Sequence, residues 1–131
     1  MKTSGEQVDI LYILLNGNAD LKALISGDVY KLGRPNSGSE DIVIKTVSLV
    51  GQTKQFGTAA VNIWIPDIDA GDQTFPNTGR IDIIGDKVIE LLESNINPDY
   101  NMTIGNQTVI SELDLKYHYF SIKVNFEFFN L

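Results

Sequence analysis

Apolar and polar residues alternate along the last segment of the chain. One row of alternate positions is entirely apolar and consists of Phe120, Ile122, Val124, Phe126 and Phe128. This period of two is typical of a β-strand that buries one face and shows the other face to water. We therefore predict a strand over residues 116–128, with His118 at the head of the apolar row. Because parallel sheets are usually covered on both faces, such a strand indicates an antiparallel or mixed sheet.

Two stretches instead repeat their apolar residues at intervals of three and four positions, which is the period of an α-helix. The first stretch is predicted to form a helix over residues 5–16 that ends at Asn16-Gly17. The second is predicted to form a helix over residues 80–94, with Asn77 or Thr78 as its N-cap. A shorter helical turn is predicted over residues 20–25.

The remaining segments predict strands that are separated by polar loops. The predicted strands are residues 28–32, 41–50 and 58–65, with one or two short strands in 100–110 around a turn at Gly105-Asn106. A long acidic loop is predicted over residues 67–79. The predicted fold class is α+β, with a mostly antiparallel sheet of about four to six strands and two main helices packed on one face. Residues 1–131 are predicted to form a single domain.

The composition narrows the classes of function. The chain has 131 residues, 43% of them hydrophobic, and a formal net charge of −7. This acidity disfavours binding to nucleic acid or to anionic lipid, both of which require clustered Lys and Arg. Cysteine is absent from the sequence, which rules out disulfides, thiolate zinc sites and a cysteine nucleophile. We also expect no membrane span, since no segment approaches the roughly 20 apolar residues that one requires.

Candidate catalytic chemistry is sparse. His118 is the only histidine, so neither a histidine-rich metal site nor a second general base is available to it. A structural or edge histidine is the favoured interpretation, and a lone general base is the alternative. Residues 33–39 have the glycine spacing of a phosphate-binding loop but lack its lysine and contain Pro35, so a plain connecting loop is predicted. The sequence therefore predicts a protein that is not an enzyme and has no cofactor.

Two groups of side chains are candidates for binding. Asp67, Asp69 and Asp72 could offer oxygens to Ca²⁺, but the spacing is not that of an EF-hand, and a solvated acidic loop is favoured. Trp64, Tyr117 and Tyr119 are predicted to lie on the sheet face opposite the apolar rows. Either they form an exposed contact surface, or a loop or the first helix covers them.

The order of segments resembles the small tail-terminator or tail-completion proteins of long-tailed bacteriophages and prophages. The resemblance covers nearly the whole chain. Its segments are the turn and strand DLKALISGDVYKLGRP, the strands DIVIKTVSL and AAVNIWIPD, the helix RIDIIGDKVIELLES and the closing FEFF. The chain departs from the family in its polar connection at residues 52–57 and in its acidic loop at residues 67–79.

The resemblance implies a structural protein of the virion. Such a protein forms a ring, commonly a hexamer, at the head-proximal end of the tail tube and joins it to the head connector. The implied partners are further copies of the chain, the tail tube protein and the head–tail connector protein. The implied location is the host cytoplasm during assembly and then the virion tail. An acidic lumen would let DNA slide through without sticking, and we expect no specific binding of nucleic acid.

A head-to-tail ring requires two different complementary patches on each subunit. From exposure patterns we predict one patch on the polar face of the last strand, at Tyr117, Tyr119 and Lys123. The second predicted patch is the loop at residues 67–79, with its aspartates and Phe75. The alternative function is a non-catalytic α+β module that binds a small ligand or a host protein.

Overall fold

The computed structural model describes residues 2–51, 54–71 and 73–129. Within that part the helices are α1 (Ser4–Asn16), α2 (Ala19–Leu24) and α3 (Thr78–Ser94). The strands are β1 (Val29–Lys31), β2 (Asp41–Gly51), β3 (Lys54–Pro66), β4 (Ile68–Ala70), β5 (Gln73–Phe75), β6 (Tyr100–Glu112) and β7 (Tyr117–Phe129). A 3-10 turn (Leu113–Leu115) joins β6 to β7.

Five of these strands form one sheet in the order β1-β2-β3-β7-β6. The pairings β2–β3, β3–β7 and β6–β7 are antiparallel, whereas β1 runs parallel to β2. The predicted α+β class is confirmed, and the sheet is mixed because of its β1 edge. The described residues form three helices instead of two main ones, although α2 has only six residues.

The helices and one face of the sheet enclose the core. The apolar row of β7 lies on this face, as predicted, with Ile122, Val124, Phe126 and Phe128 buried. Phe120 is partly buried and packs against the same cluster. The even-numbered residues of β7 therefore face the core, and its odd-numbered residues lie on the other face of the sheet.

The first helix is fixed at its start and along its buried face. The Thr3 side chain accepts a hydrogen bond from the backbone N–H of Glu6, and the Glu6 carboxylate accepts one from the N–H of Thr3, which is a capping box. Gln7, the first buried residue of α1, sits over an irregularity in the β2–β3 register between Thr46 and Ser48. Its amide Nε2 donates to Thr46 Oγ1 at 3.1 Å and to the Ser48 carbonyl at 3.3 Å. The helix thereby supplies donors where the strand ladder is interrupted.

The third helix comes close to β7 at a glycine. A Cβ atom placed on Gly85 would lie 2.9 Å from Cε2 of Phe120, which is closer than carbon atoms normally approach. The absence of a side chain at this position therefore allows α3 to rest on the Phe120 ring. Asn77 caps this helix, as predicted, by accepting a hydrogen bond from the backbone N–H of Arg80.

Residues 54–57, predicted as part of a polar connection, belong to β3, and two other segments differ more widely from the sequence-based prediction. Residues 67–79 are not one long loop, because β4 and β5 pair as a small antiparallel ribbon and α3 already begins at Thr78. Residues 100–110 do not form two short strands with a turn. They belong to one strand, β6, and the Gly105-Asn106 pair lies at a register irregularity against β7. Continuous pairing with β7 on both sides of the irregularity holds the strand together.

No helix in residues 2–51, 54–71 or 73–129 is long and apolar enough to cross a bilayer.

Candidate interaction sites

The predicted acidic loop is divided between a buried carboxylate and an exposed ribbon. Asp67 is not exposed: its side chain is fully buried, and its backbone N–H donates to the carbonyl of Lys116 at 2.9 Å. Asp69 is exposed on β4. Phe75 is half-exposed and pairs across the ribbon with the half-exposed Ile68. Asp72, the remaining predicted contact residue of this segment, lies outside the described residues.

His118 and Asp67 form a close pair at the base of the ribbon. His118 Nδ1 lies 2.6 Å from Asp67 Oδ1, and the imidazole is largely buried. This distance is that of a hydrogen bond between the imidazole nitrogen and the carboxylate oxygen. The histidine therefore holds the ribbon to the start of β7, in line with the predicted structural role. The buried partner carboxylate was not predicted.

A second ion pair lies close by, between the β1–β2 loop and α3. Arg80 donates from Nε to Glu40 Oε2 at 2.7 Å and from a terminal nitrogen to Oε1 at 2.8 Å, which is a bidentate contact. The same guanidinium also donates to the Leu24 carbonyl at 2.8 Å. The hydrogen bonds from Arg80 lower the pKa of Glu40, and those to Glu40 raise the pKa of Arg80. The pair thus joins α2, the β1–β2 loop and α3 electrostatically.

An open depression lies between these two pairs. Asp67, Glu40 and Arg80 contribute to its lining, together with Ser26, Ile68 and Asn77. The Oδ2 atom of Asp67 is buried and has no hydrogen-bond partner among the described residues. A buried carboxylate oxygen without a partner is unusual in a folded protein, so this is the position where a small cationic or hydrogen-bond-donating group would gain most.

The aromatic residues on the far face of the sheet are covered by the loop that follows β1. Arg34 reaches back over this face and is only 8% exposed at its side chain. Its guanidinium carbon lies 4.7 Å from the ring centroid of Trp64 and 4.4 Å from that of Tyr117. Tyr119 stacks on Trp64, with 4.5 Å between ring centroids. Of the two interpretations that the sequence left open, the structure therefore shows the covered one for Tyr117, which is buried, whereas Tyr119 is half-buried.

A buried carboxylate anchors this loop. Asp41, at the start of β2, has no exposed side-chain surface and accepts from Arg34 at 3.0 Å and from the Ser37 hydroxyl at 2.8 Å. Its other oxygen accepts from the backbone N–H of Asp28 at 3.1 Å. The Tyr117 hydroxyl adds a further bond by donating to the Ser39 carbonyl. The loop with glycine spacing is thus a structural cover for the sheet, and its arginine is used internally.

Lys123, the third predicted contact residue on this face, is half-buried and donates to Ser121 Oγ at 3.2 Å. It lies farther along β7 than the aromatic cluster, and no aromatic ring covers it among the described contacts.

Two strand edges form a further candidate surface, which the sequence analysis missed. β6 is the last strand of the sheet, and in the described part of the chain no strand lies on its outer side; a single bridge joins its first residue, Tyr100, to Asn97. Residues 101–111 of β6 contain neither a charged residue nor a proline, the two devices that most often protect such an edge. At the other end, β1 pairs only with residues 42–44 of β2, so the rest of β2 has a free outer side among the described residues.

Exposed apolar side chains lie near both edges. Val47 and Val50 on β2 are 55% and 63% exposed. A groove runs beside the first half of β6, and its lining includes Met102 and Ile96, of which Ile96 is 92% exposed. Apolar side chains beside an unpaired strand are typical of a surface that receives another strand.

No three His, Asp or Glu side chains gather as a metal ion requires within residues 2–51, 54–71 and 73–129.

No protein-family model matches the chain, and no curated protein matches it either.

Proposed function

We propose that this chain is a structural assembly protein of the phage tail-terminator kind. In this proposal it forms a ring at the head-proximal end of the tail tube and joins the tube to the head connector. It carries out no catalysis. The resemblance of its segment order to that family motivates the proposal, and the shape of the folded chain supports it.

The observation that carries the proposal is the pair of free strand edges at opposite ends of one sheet. A ring of identical subunits needs two different surfaces on each copy, placed so that one copy leads to the next. The outer sides of β6 and of residues 46–51 in β2 meet that requirement, since they lie at the two ends of the five-strand sheet.

Three side chains with catalytic potential form hydrogen-bonded ion pairs within the fold. His118 is held by Asp67, Arg80 by Glu40, and Arg34 by Asp41. Two of the pairs join segments that are distant in sequence, and the Arg34–Asp41 pair fixes a loop to the strand that follows it. This use is expected in a protein that presents a stable shape to its partners.

The exposed ribbon is the proposed contact with the other tail components. Asp69, Ile68 and Phe75 are accessible there, and an apolar pair with acidic neighbours resembles the small core and polar rim of a protein interface. Tyr119 and Lys123 remain half-exposed on the sheet face and could extend this contact.

The test of this proposal is binding to tail tubes. Purified protein is mixed with tail tubes of the phage or prophage whose genome carries its gene, and electron microscopy locates it. We expect extra density at one end of each tube, and a Phe75→Ser variant should reduce the fraction of capped tubes. An Ile13→Ser variant is the matched control, since Ile13 is an exposed apolar residue on α1. Tubes that remain bare, or a gene that lies among metabolic enzymes and not beside tail genes, would contradict the proposal.

The alternative, a non-catalytic module for a small ligand or host protein, rests on the unpartnered Asp67 Oδ2 beside the open depression. Titration with small amines and guanidinium compounds, followed by the NMR signals of His118, tests it. Saturable shifts in the wild type that vanish in Asp67→Asn would favour this alternative, and their absence would dismiss it.

A further inference from the structure

We propose that the sheet continues from one copy of the chain into the next, with residues 101–104 of β6 pairing antiparallel with residues 46–50 of a neighbouring β2. The proposal rests on the proposed function for its biological setting, because it names the contact by which the ring would close. The directions of the two edge strands, their positions along the strand axis and their side chains all support this pairing.

The directions of the two edge strands are compatible. β2 is antiparallel to β3, β3 to β7 and β7 to β6, so β2 and β6 run in opposite directions. When copies are related by rotation about an axis parallel to the strands, β6 of one copy therefore meets β2 of the next in antiparallel orientation. This is the geometry in which strands pair most readily.

The two free segments also lie at the same position along the direction of the strands, which is called their height here. Reading straight across the sheet, Ser48 is level with Thr58, Asn125 and Thr103. The next row contains Leu49, Gly57, Phe126 and Met102. A rotation about an axis along the strands leaves these heights unchanged, so the free part of β2 faces the first half of β6 in the neighbouring copy. The second half of β6 is level with residues 42–44 of β2, which β1 already covers.

The side chains match row by row. Thr103 would lie beside Ser48 of the next copy on the polar face, continuing a row in which Thr58 already bonds Asn125 at 3.0 Å. Met102 would lie beside Leu49 of the next copy on the face that carries the core. Polar groups would therefore meet polar groups and apolar groups apolar ones, as in the sheet of a single chain.

Charge does not oppose this contact, although the whole chain is acidic. Neither residues 46–50 nor residues 101–104 contain a charged side chain, while the chain as a whole carries a net charge of −7. Two copies can thus approach at these edges without the like-charge repulsion that most of their surface would produce. The exposed Ile96, beside the groove at β6, would gain apolar contact at the same time.

The strand that pairs with β6 belongs to a second copy of this chain, because the edge that matches β6 is the free part of β2. A contact of β6 with β6 across a two-fold axis is the main competitor. It would leave the free segment of β2 without a partner, and when centred near Thr103 it would bring that residue close to its own symmetry mate.

Cysteine cross-linking distinguishes these two arrangements. Because the sequence contains no cysteine, every disulfide that forms must involve an introduced cysteine. Ser48→Cys and Thr103→Cys proteins, both altered at exposed positions, are mixed in equal amounts and mildly oxidised. Side chains directly opposite each other across strands are near enough for a disulfide. We expect about tenfold more of the mixed 48–103 disulfide than of either homodimer, because pairing raises the effective concentration of the two thiols.

A second pair of cysteine variants and a control pair accompany this measurement. Val50→Cys with Asn101→Cys samples the adjacent exposed row, so the result does not depend on one variant folding well. Asp82→Cys with Glu90→Cys, on the exposed side of α3, gives the random level of cross-linking. Random proportions in both edge pairs, or a predominance of the Thr103→Cys homodimer, would overturn the proposal. Because the test uses the protein alone, it can succeed even if the protein never binds a tail tube, and it can fail while tail binding is observed.

Discussion

Ser48 and Thr103 stand at the two outer ends of one row across the sheet, with Thr58 and Asn125 between them. Both end residues are exposed, and the two inner residues are joined by a hydrogen bond. The row is polar along its whole length and is open at both ends. In the proposed head-to-tail assembly, one end of this row meets the other end of the same row in the next copy.

The Arg34–Asp41 pair should be a main support of the covered sheet face. Arg34→Met removes the buried positive charge and leaves the Asp41 carboxylate with only the Ser37 hydroxyl and a backbone N–H. We expect a loss of about 2–4 kcal/mol in the free energy of unfolding, measured by urea titration at neutral pH. The emission of Trp64, the only tryptophan, should also change, since the guanidinium lies over its ring.

Lys87→Met is the control for this prediction. Lys87 pairs with Glu90 on the surface of α3 at 3.6 Å, and its loss should change stability by less than about 0.5 kcal/mol. If both substitutions had the same small effect, the loop would not be held by its buried ion pair.

Gly85 should be required for the contact between α3 and Phe120. Gly85→Ala would normally favour a helix by up to about 1 kcal/mol, but here the methyl group meets the Phe120 ring. We expect a net destabilisation of about 1–2 kcal/mol because the helix must move away from the sheet. The Phe120→Leu background should remove part of this penalty in thermal unfolding measurements.

Gly79 offers a matched comparison in the first turn of the same helix. A Cβ atom there meets nothing closer than 3.8 Å, at the Asn77 side chain. Gly79→Ala should therefore stabilise the protein by about 0.5–1 kcal/mol. A stabilising effect of Gly85→Ala as well would show that the close approach to Phe120 is not restrictive.

The Glu40–Arg80 pair should make stability depend on pH in the acid range. The folded protein lowers the pKa of Glu40 below its usual 4.5, chiefly through the hydrogen bonds from Arg80. The folded state thus favours the ionised carboxylate, so the stabilisation is present above pH 4.5 and is lost as the pH falls through the lowered value. Glu40→Gln should therefore be less stable than the wild type at pH 7, and the gap should narrow as the pH is lowered below 4.5.

Glu93→Gln, an exposed substitution near the end of α3, serves as the control for this pH dependence. Chemical denaturation of the three proteins between pH 7 and pH 3 gives the comparison. A gap between wild type and Glu40→Gln that stays constant over this range would show that the carboxylate charge is not what stabilises the junction.

The sequence was most informative where a periodic pattern continued for several turns or residues. The alternation around Val124 predicted β7 almost to its ends, and the stripe containing Gly85 predicted α3. Both patterns arise because one face of the element is buried. The spacing of apolar residues along a short stretch of sequence is enough to show such a face. The N-cap at Asn77 was predictable for the same reason, because capping is a local interaction.

Contacts between distant segments could not be predicted from these patterns. Asp67 was assigned to an acidic loop, but its side chain is buried and contacts a histidine 51 positions away. Arg34 was assigned to a plain loop, and nothing in residues 33–39 shows that its side chain turns back over Trp64. In β6, Gly105-Asn106 had the composition of a turn, while pairing with β7 kept the backbone extended. The free edge of β6 was in principle visible as a long uncharged stretch, but only the strand order shows that it is an edge.

Like charges or opposite charges placed at the proposed junction give the most direct test of head-to-tail assembly. Ser48→Lys/Thr103→Lys would put two cations opposite each other between copies, whereas Ser48→Lys/Thr103→Glu would put an ion pair there. Sedimentation equilibrium should show about tenfold tighter self-association for the Lys/Glu protein at low salt, and the difference should shrink at high salt. Equal association of the two proteins, or no association of either, would contradict the account.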